Sequence, residues 1–156
     1  MNTISPNLDG SGFRIGIVQS RFNEPIVVKM LNACLDELHA LGVVGADIDL
    51  ITVPGALEIP IALQTLALTR NYHALVAIGA VIRGDTYHFE VVSNEACRGV
   101  MDVALETGVP IANGILTTNT DAQAEARVNE KGADCARAAI EMARALSSIA
   151  RLKETR

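Results

Sequence analysis

Apolar positions fall into four short runs rich in β-branched residues, and longer stretches with helical spacing separate them. The runs predict strands over Phe13–Val18, Ile48–Val53, Leu75–Ile82 and Ile111–Thr117. Runs without polar alternation, such as Ala74-Leu-Val-Ala-Ile-Gly79, suit strands buried on both faces, as in a parallel sheet covered by helices. Between them, Pro25–Leu41 places Ile26, Met30, Ala33, Cys34, Glu37 and Leu41 near helical spacing and stops at Gly42. Leu57–Arg70 and Tyr87–Thr107 repeat the pattern, the second ending at the stop signal Gly108-Val-Pro110. Asn119-Thr-Asp121 predicts a cap for a short helix, Ala122–Asn129; Gly132 then predicts a break before an Ala-rich helix over Asp134–Leu152.

Strand–helix alternation predicts an α/β three-layer domain, with a four-stranded parallel sheet flanked by helices and right-handed crossovers. Residues 1–156 read as one domain without repeats or linkers. The first twelve, polar and glycine-containing, read as lying outside the core, as a free tail or as an arm reaching a neighbour.

Composition narrows the class. At 156 residues the chain can bury a core, and 49% hydrophobic with 20% charged residues is globular rather than disordered. A net charge of −5, without a basic cluster, argues against nucleic-acid binding. No apolar run approaches the ~18 residues of a membrane span. The first residues have neither the basic start nor the apolar core of a signal peptide, so the cytoplasm is the expected compartment. Cys34, Cys97 and Cys135 are odd in number and widely spaced, which suits small buried hydrophobes rather than a zinc site or disulfides.

Open parallel sheets bind ligands beyond the carboxyl ends of their strands. Four loops fall there: Ser20-Arg-Phe-Asn23, Pro54-Gly-Ala-Leu-Glu58, Arg83-Gly-Asp-Thr-Tyr-His88 and Thr118-Asn-Thr-Asp121. The chain has only three phenylalanines and two tyrosines, and Phe22, Tyr87 and Phe89 all fall in or beside these loops. Gly84, Asp85 and Thr86 precede a helix N-terminus, where free N–H groups suit an oxyanion; Asp85 or Thr86 could equally cap the helix. His88 has the side chain best suited to proton transfer near neutral pH, or is incidental; His39 and His73 read as incidental. Phe22 is either a closure of the sheet's edge or a platform for a flat ring. Gly55 permits close backbone approach and Glu58 could accept ligand hydroxyls, or the pair serves a turn and a first helical turn. Arg127 and Lys131 read as surface cations, unless a second subunit brings them to an anion pocket.

Taken together, Arg21-Phe-Asn23, Val53-Pro-Gly-Ala-Leu-Glu-Ile-Pro60, Gly79-Ala-Val-Ile-Arg-Gly-Asp-Thr-Tyr-His-Phe-Glu90 and Gly114-Ile-Leu-Thr117 resemble the 6,7-dimethyl-8-ribityllumazine synthase family, collinearly from about Phe13 to Leu146. The resemblance implies condensation of 5-amino-6-(D-ribitylamino)uracil with 3,4-dihydroxy-2-butanone 4-phosphate, the penultimate step of riboflavin synthesis. In it the 5-amino group forms an imine with the ketone, phosphate is eliminated, and the ribitylamino nitrogen closes the ring with loss of water. No cofactor or metal is implied. Phe22 would stack on the pyrimidine beside Asn23; Gly55, Ala56, Leu57 and Glu58 would hold the ribityl chain; Ala80, Val81 and Ile82 would line the ring's edge. Asp85 and Thr86 would meet the phosphorylated substrate, Arg127 with Lys131 would close on its phosphate, and Asn113 would complete the ring pocket. His88 would be the general acid/base. Positions 113 and 127 would come from an adjacent subunit of a pentamer, with the N-terminal arm joining a neighbour's sheet.

The chain departs from the family's pattern in two places. Position 113 is Asn where many members have Phe, and Arg127-Val-Asn-Glu-Lys-Gly132 is shorter than the kink of members that build sixty-subunit shells, which favours pentamers or pairs of them. A non-catalytic flavin-binding or storage protein on the same scaffold is the alternative. A receiver-like signalling domain is excluded, since Gln19-Ser-Arg-Phe22 and Ile82-Arg-Gly84 stand where it needs acidic residues.

Overall fold

The computed structural model describes residue 1 and residues 3–152. Four strands, β1 (Ile15–Ser20), β2 (Ile48–Val53), β3 (Ala74–Ile82) and β4 (Ile111–Thr118), pair in the order β2-β1-β3-β4, every neighbouring pair parallel. The helices are α1 (Glu24–Ala40), α2 (Ile59–Leu68), α3 (His88–Thr107), α4 (Asp121–Glu125) and α5 (Val128–Arg151), with short 3-10 turns at Gly45–Asp47 and Ala56–Glu58. No helix among the described residues is long and apolar enough to cross a membrane.

Side chains of β3 alternate between two cores, as a period of two requires. Ala74, Val76, Ile78 and Ala80 pack beneath α1 and α5 with Met30, Leu38 and Ile140. Leu75 and Ala77 pack beneath α2 and α3 with Leu63, Ala96 and Val100. A strand covered on both faces has no polar side, which is why its sequence shows no alternation.

Helix boundaries follow local chemistry. Pro25 lies in the first turn of α1, where its missing N–H is no loss, and Glu24 beside it suits the positive helix end. Gly108 ends α3 in the left-handed region at φ 71°, its N–H donating to Ala104 O. Thr120 rather than its neighbours caps α4, its Oγ1 accepting the Gln123 N–H at 3.1 Å.

Three expectations need correction. Helix α5 runs unbroken through Gly132. That glycine is pressed against α1, where a Cβ would lie 2.4 Å from Met30 O and 2.9 Å from Ala33 Cβ. Its small size serves the helix crossing, not a break. Strand β1 starts later and runs further than its apolar run suggests, because Gln19 and Ser20 are buried and stand in register with Thr52 and Val53. The first twelve residues do not all lie outside the core. Gly10 donates to Leu41 O at 2.7 Å, Arg144 donates to Asp9 O at 2.6 Å and to Ser11 O at 3.1 Å, and Phe13 is buried under the Arg144 guanidinium. Residues 3–8 are exposed and form neither helix nor strand.

Candidate active site

The carboxyl ends of β1, β2 and β3 open into a cleft of about 370 Å³, closed on the far side by the start of α3. Its walls come from four consecutive features of the chain, and each has a local cause.

After β1 the backbone keeps bonding to the end of β2 and the residue beyond it: Arg21 N–H donates to Val53 O at 2.8 Å and Phe22 N–H to Pro54 O at 3.1 Å. Asn23 then turns the chain in the left-handed region (φ 57°), which asparagine tolerates, and its Nδ2 donates to Ala80 O at 2.8 Å. Phe22 is thereby held at the mouth, 71% exposed, with its ring available. Across from it, Gly55 N–H donates to Glu58 Oε2 at 2.8 Å, which fixes the Ala56–Glu58 turn and leaves the second carboxylate oxygen for a hydroxyl donor. Ala80, Val81 and Ile82 supply an apolar floor and edge.

The fourth wall is Gly84, Thr86, His88, Phe89 and Val92. Neither Asp85 nor Thr86 caps α3: the capping position is Tyr87, with no side-chain cap bond, and Thr86 Oγ1 accepts only a long 3.4 Å contact from His88 N–H. The Glu90 N–H donates to Tyr87 O at 3.1 Å, which leaves the His88 and Phe89 N–H groups with capacity for an anion. His88 begins the helix, exposed, and lines the cleft.

The cleft thus gathers Phe22, Asn23, Gly55, Ala56, Leu57, Glu58, Ala80, Val81, Ile82, Thr86 and His88. Asp85 is exposed in the same loop but is not part of the lining. Asn113, Arg127 and Lys131 lie elsewhere. Asn113 is exposed on β4, its Oδ1 accepting the Ile115 N–H at 3.0 Å and its Nδ2 lying 3.6 Å from Cys97 Sγ. Arg127 and Lys131 line a separate depression of about 220 Å³ with Leu116, Glu130 and Asp134, and Arg127 Nη1 donates to Gln123 O at 2.8 Å. Phe89 and Val92 are lining residues that the sequence did not single out as site residues. Phe89's place in an aromatic cluster was the available signal, whereas Val92 is an apolar helix residue like many others.

Burial makes the two core thiols unreactive. It pushes Cys34 up to about 12 and Cys135 up to about 11, leaving almost no thiolate near neutrality.

Comparison with known proteins agrees with this geometry. The family model of 6,7-dimethyl-8-ribityllumazine synthase matches residues 12–147. A 6,7-dimethyl-8-ribityllumazine synthase from Cupriavidus metallidurans is 60% identical over 148 residues, covering 95% of this chain and 88% of the relative. One from Paraburkholderia phymatum is 62% identical over 138 residues, covering 88% of this chain and 80% of the relative. A third, from Ralstonia nicotianae, is 58% identical over 148 residues, covering 95% and 90%. With the cleft at the carboxyl edge of its parallel sheet, this chain belongs to the 6,7-dimethyl-8-ribityllumazine synthase family.

Proposed function

We propose that the chain condenses 5-amino-6-(D-ribitylamino)uracil with 3,4-dihydroxy-2-butanone 4-phosphate to give 6,7-dimethyl-8-ribityllumazine. The supporting observation is the cleft itself, which joins an exposed aromatic ring, a rigid backbone turn and an uncapped helix start carrying a histidine. In this reading Phe22 covers one face of the pyrimidine, and Ala80, Val81 and Ile82 line its edge. Asn23 orients the Phe22 turn through Ala80 O rather than holding substrate alone. Gly55, Ala56, Leu57 and Glu58 receive the ribityl hydroxyls, Glu58 through the oxygen not used by Gly55 N–H. Thr86 and the N–H groups around it take the phosphate end of the second substrate, with Asp85 beside them.

Holding an amine and a ketone together converts a bimolecular encounter into a local one, and that supplies much of the acceleration. His88 moves the remaining protons: it protonates the departing carbinolamine oxygen as the imine forms, and takes a proton from carbon as phosphate leaves.

In this reading the site is incomplete within one chain, since Arg127 and Lys131, expected at the phosphate, and Asn113, expected at the ring, lie outside the cleft. An oligomer, a pentamer in this reading, would bring them to a neighbour's cleft. Exposed Ile61 and Leu68 on α2 and Met101 and Leu105 on α3, the last 77% exposed, support such burial. Strand β2 is an open edge to which residues 1–8 of a neighbour could add.

The direct test mixes purified protein with both substrates and follows the fluorescent lumazine product against a protein-free control. Acceleration that requires both substrates is expected. Folded protein that binds riboflavin without turnover would favour a storage role instead.

A further inference from the structure

The loop that carries the uncapped helix start has little packing of its own. Residues 83–88 are all exposed, and a Cβ on Gly84 would meet nothing within 4 Å. Its position therefore depends on what grips its ends. Arg83 is the residue at which β3 gives way to this loop, and its contacts run in four directions. Its backbone N–H donates to Thr118 O at 2.9 Å, carrying the pairing with β4 one residue past the end of β3. Its Nε donates to Asn119 Oδ1 at 2.8 Å, beyond the end of β4. Its Nη1 pairs with the Glu90 carboxylate in the first turn of α3. Its guanidinium carbon lies over Phe89, 4.2 Å from the ring centroid. Arg83 thus stands at one end of the loop and holds the two residues that follow His88 at the other.

We infer that Arg83 is a positioning residue, a clamp from β3 and β4 onto Phe89 and Glu90 that fixes the Gly84–His88 loop and so sets binding of the phosphorylated substrate. This rests on the proposed phosphate seat. Arg83 does not line the cleft, so it acts through the loop rather than on substrate. The planar fork is required. Lysine offers a point charge that can neither stack on Phe89 nor reach Asn119 and Glu90 together. The Arg83 hydrogen bond also holds the Glu90 carboxyl below its ordinary range, so the pair is charged wherever the enzyme works. An exposed ion pair adds little to global stability, so variants here keep the fold.

The test compares steady-state kinetics of wild type, Arg83→Lys and Glu90→Gln, with inorganic phosphate as a competitor and melting temperature as the fold control. The expected result for both variants is a KM for the phosphorylated substrate raised on the order of tenfold, with a parallel rise in the inhibition constant of phosphate. KM for the pyrimidine, whose seat is built by other loops, stays within about twofold. Equal rises in both KM values would mark a general structural defect and overturn the clamp. So would phosphate inhibition unchanged from wild type. If phosphate does not compete even with wild type, the phosphate seat itself fails and the clamp with it.

Discussion

The two edges of the sheet use the same residue types to opposite ends. At the amino edge, Phe13 is 7% exposed, stacked on His73 at 4.6 Å with the Arg144 guanidinium 4.0 Å above it. His73 Nδ1 accepts the Arg14 N–H at 2.9 Å, and Tyr72 donates to Asp49, which Arg14 also grips. At the carboxyl edge, Phe22 and Tyr87 are more than 70% exposed and His88 lines the cleft. One phenylalanine, one tyrosine and one histidine are consumed by structure at one edge; their counterparts are left available at the other. Chemistry is found where the fold declines to satisfy a side chain.

The comparison breaks most sharply at Phe13. Truncating it to Ala should destabilise the chain by about 3 kcal/mol, read as a lowered denaturation midpoint, with activity per folded molecule unchanged. Phe22→Ala should do the reverse. Removing an exposed ring leaves the melting temperature in place and lowers kcat/KM about tenfold through lost stacking; a lowered melting temperature with intact kcat/KM would make Phe22 structural.

His88→Ala should slow kcat by roughly tenfold, below the usual general acid/base effect of ~10²–10⁴, because proximity supplies the larger share. His73→Ala should leave kcat alone and loosen only the amino edge. Arg127→Ala should raise KM for the phosphorylated substrate by a similar factor of about ten, and a change confined to the pyrimidine would remove it from the phosphate seat. The smallest effect concerns the thiols. Alkylation of native protein at pH 8 should spare Cys34 and Cys135, and all three cysteines should react after denaturation. Since folding raises both thiol pKa values, their contribution to stability is complete below about pH 9. It is lost as pH climbs through the range between the ordinary 9.0 and the folded values of about 11 and 12.

Much of this was legible in the sequence, for identifiable reasons. β3, buried on both faces, leaves an unmistakable apolar run and was placed to within one residue; β2, an edge strand only partly buried, was still placed to the residue through its β-branched positions, and β4 to within one. Gly132 misled because glycine has two uses, ending helices and letting them touch, and only the partner helix distinguishes them. Gln19 and Ser20 misled because polar side chains at a strand end look like loop until their neighbours are known. In the cleft, Phe22, Glu58 and His88 were visible as chemistry-bearing residues at strand ends. Arg127, Lys131 and Asn113 lie outside this cleft; the sequence left the first two as surface cations that only a second subunit could bring to an anion, and the family likeness alone singled out Asn113. Arg83 was present in the quoted motif, but nothing linear reveals that it reaches Asn119 and Phe89.

The unbroken course of α5 has a mechanical meaning. At 24 residues it is a rod of about 36 Å, clasped near one end where Gly132 meets the Met30 carbonyl. Arg127 sits at the tip just beyond that clasp, and Arg151 at the far tip. Since α5 is buried against its neighbours from Val128 to Ala143, an added methyl at position 132 would press that whole stretch away from α1 and carry Arg127 with it.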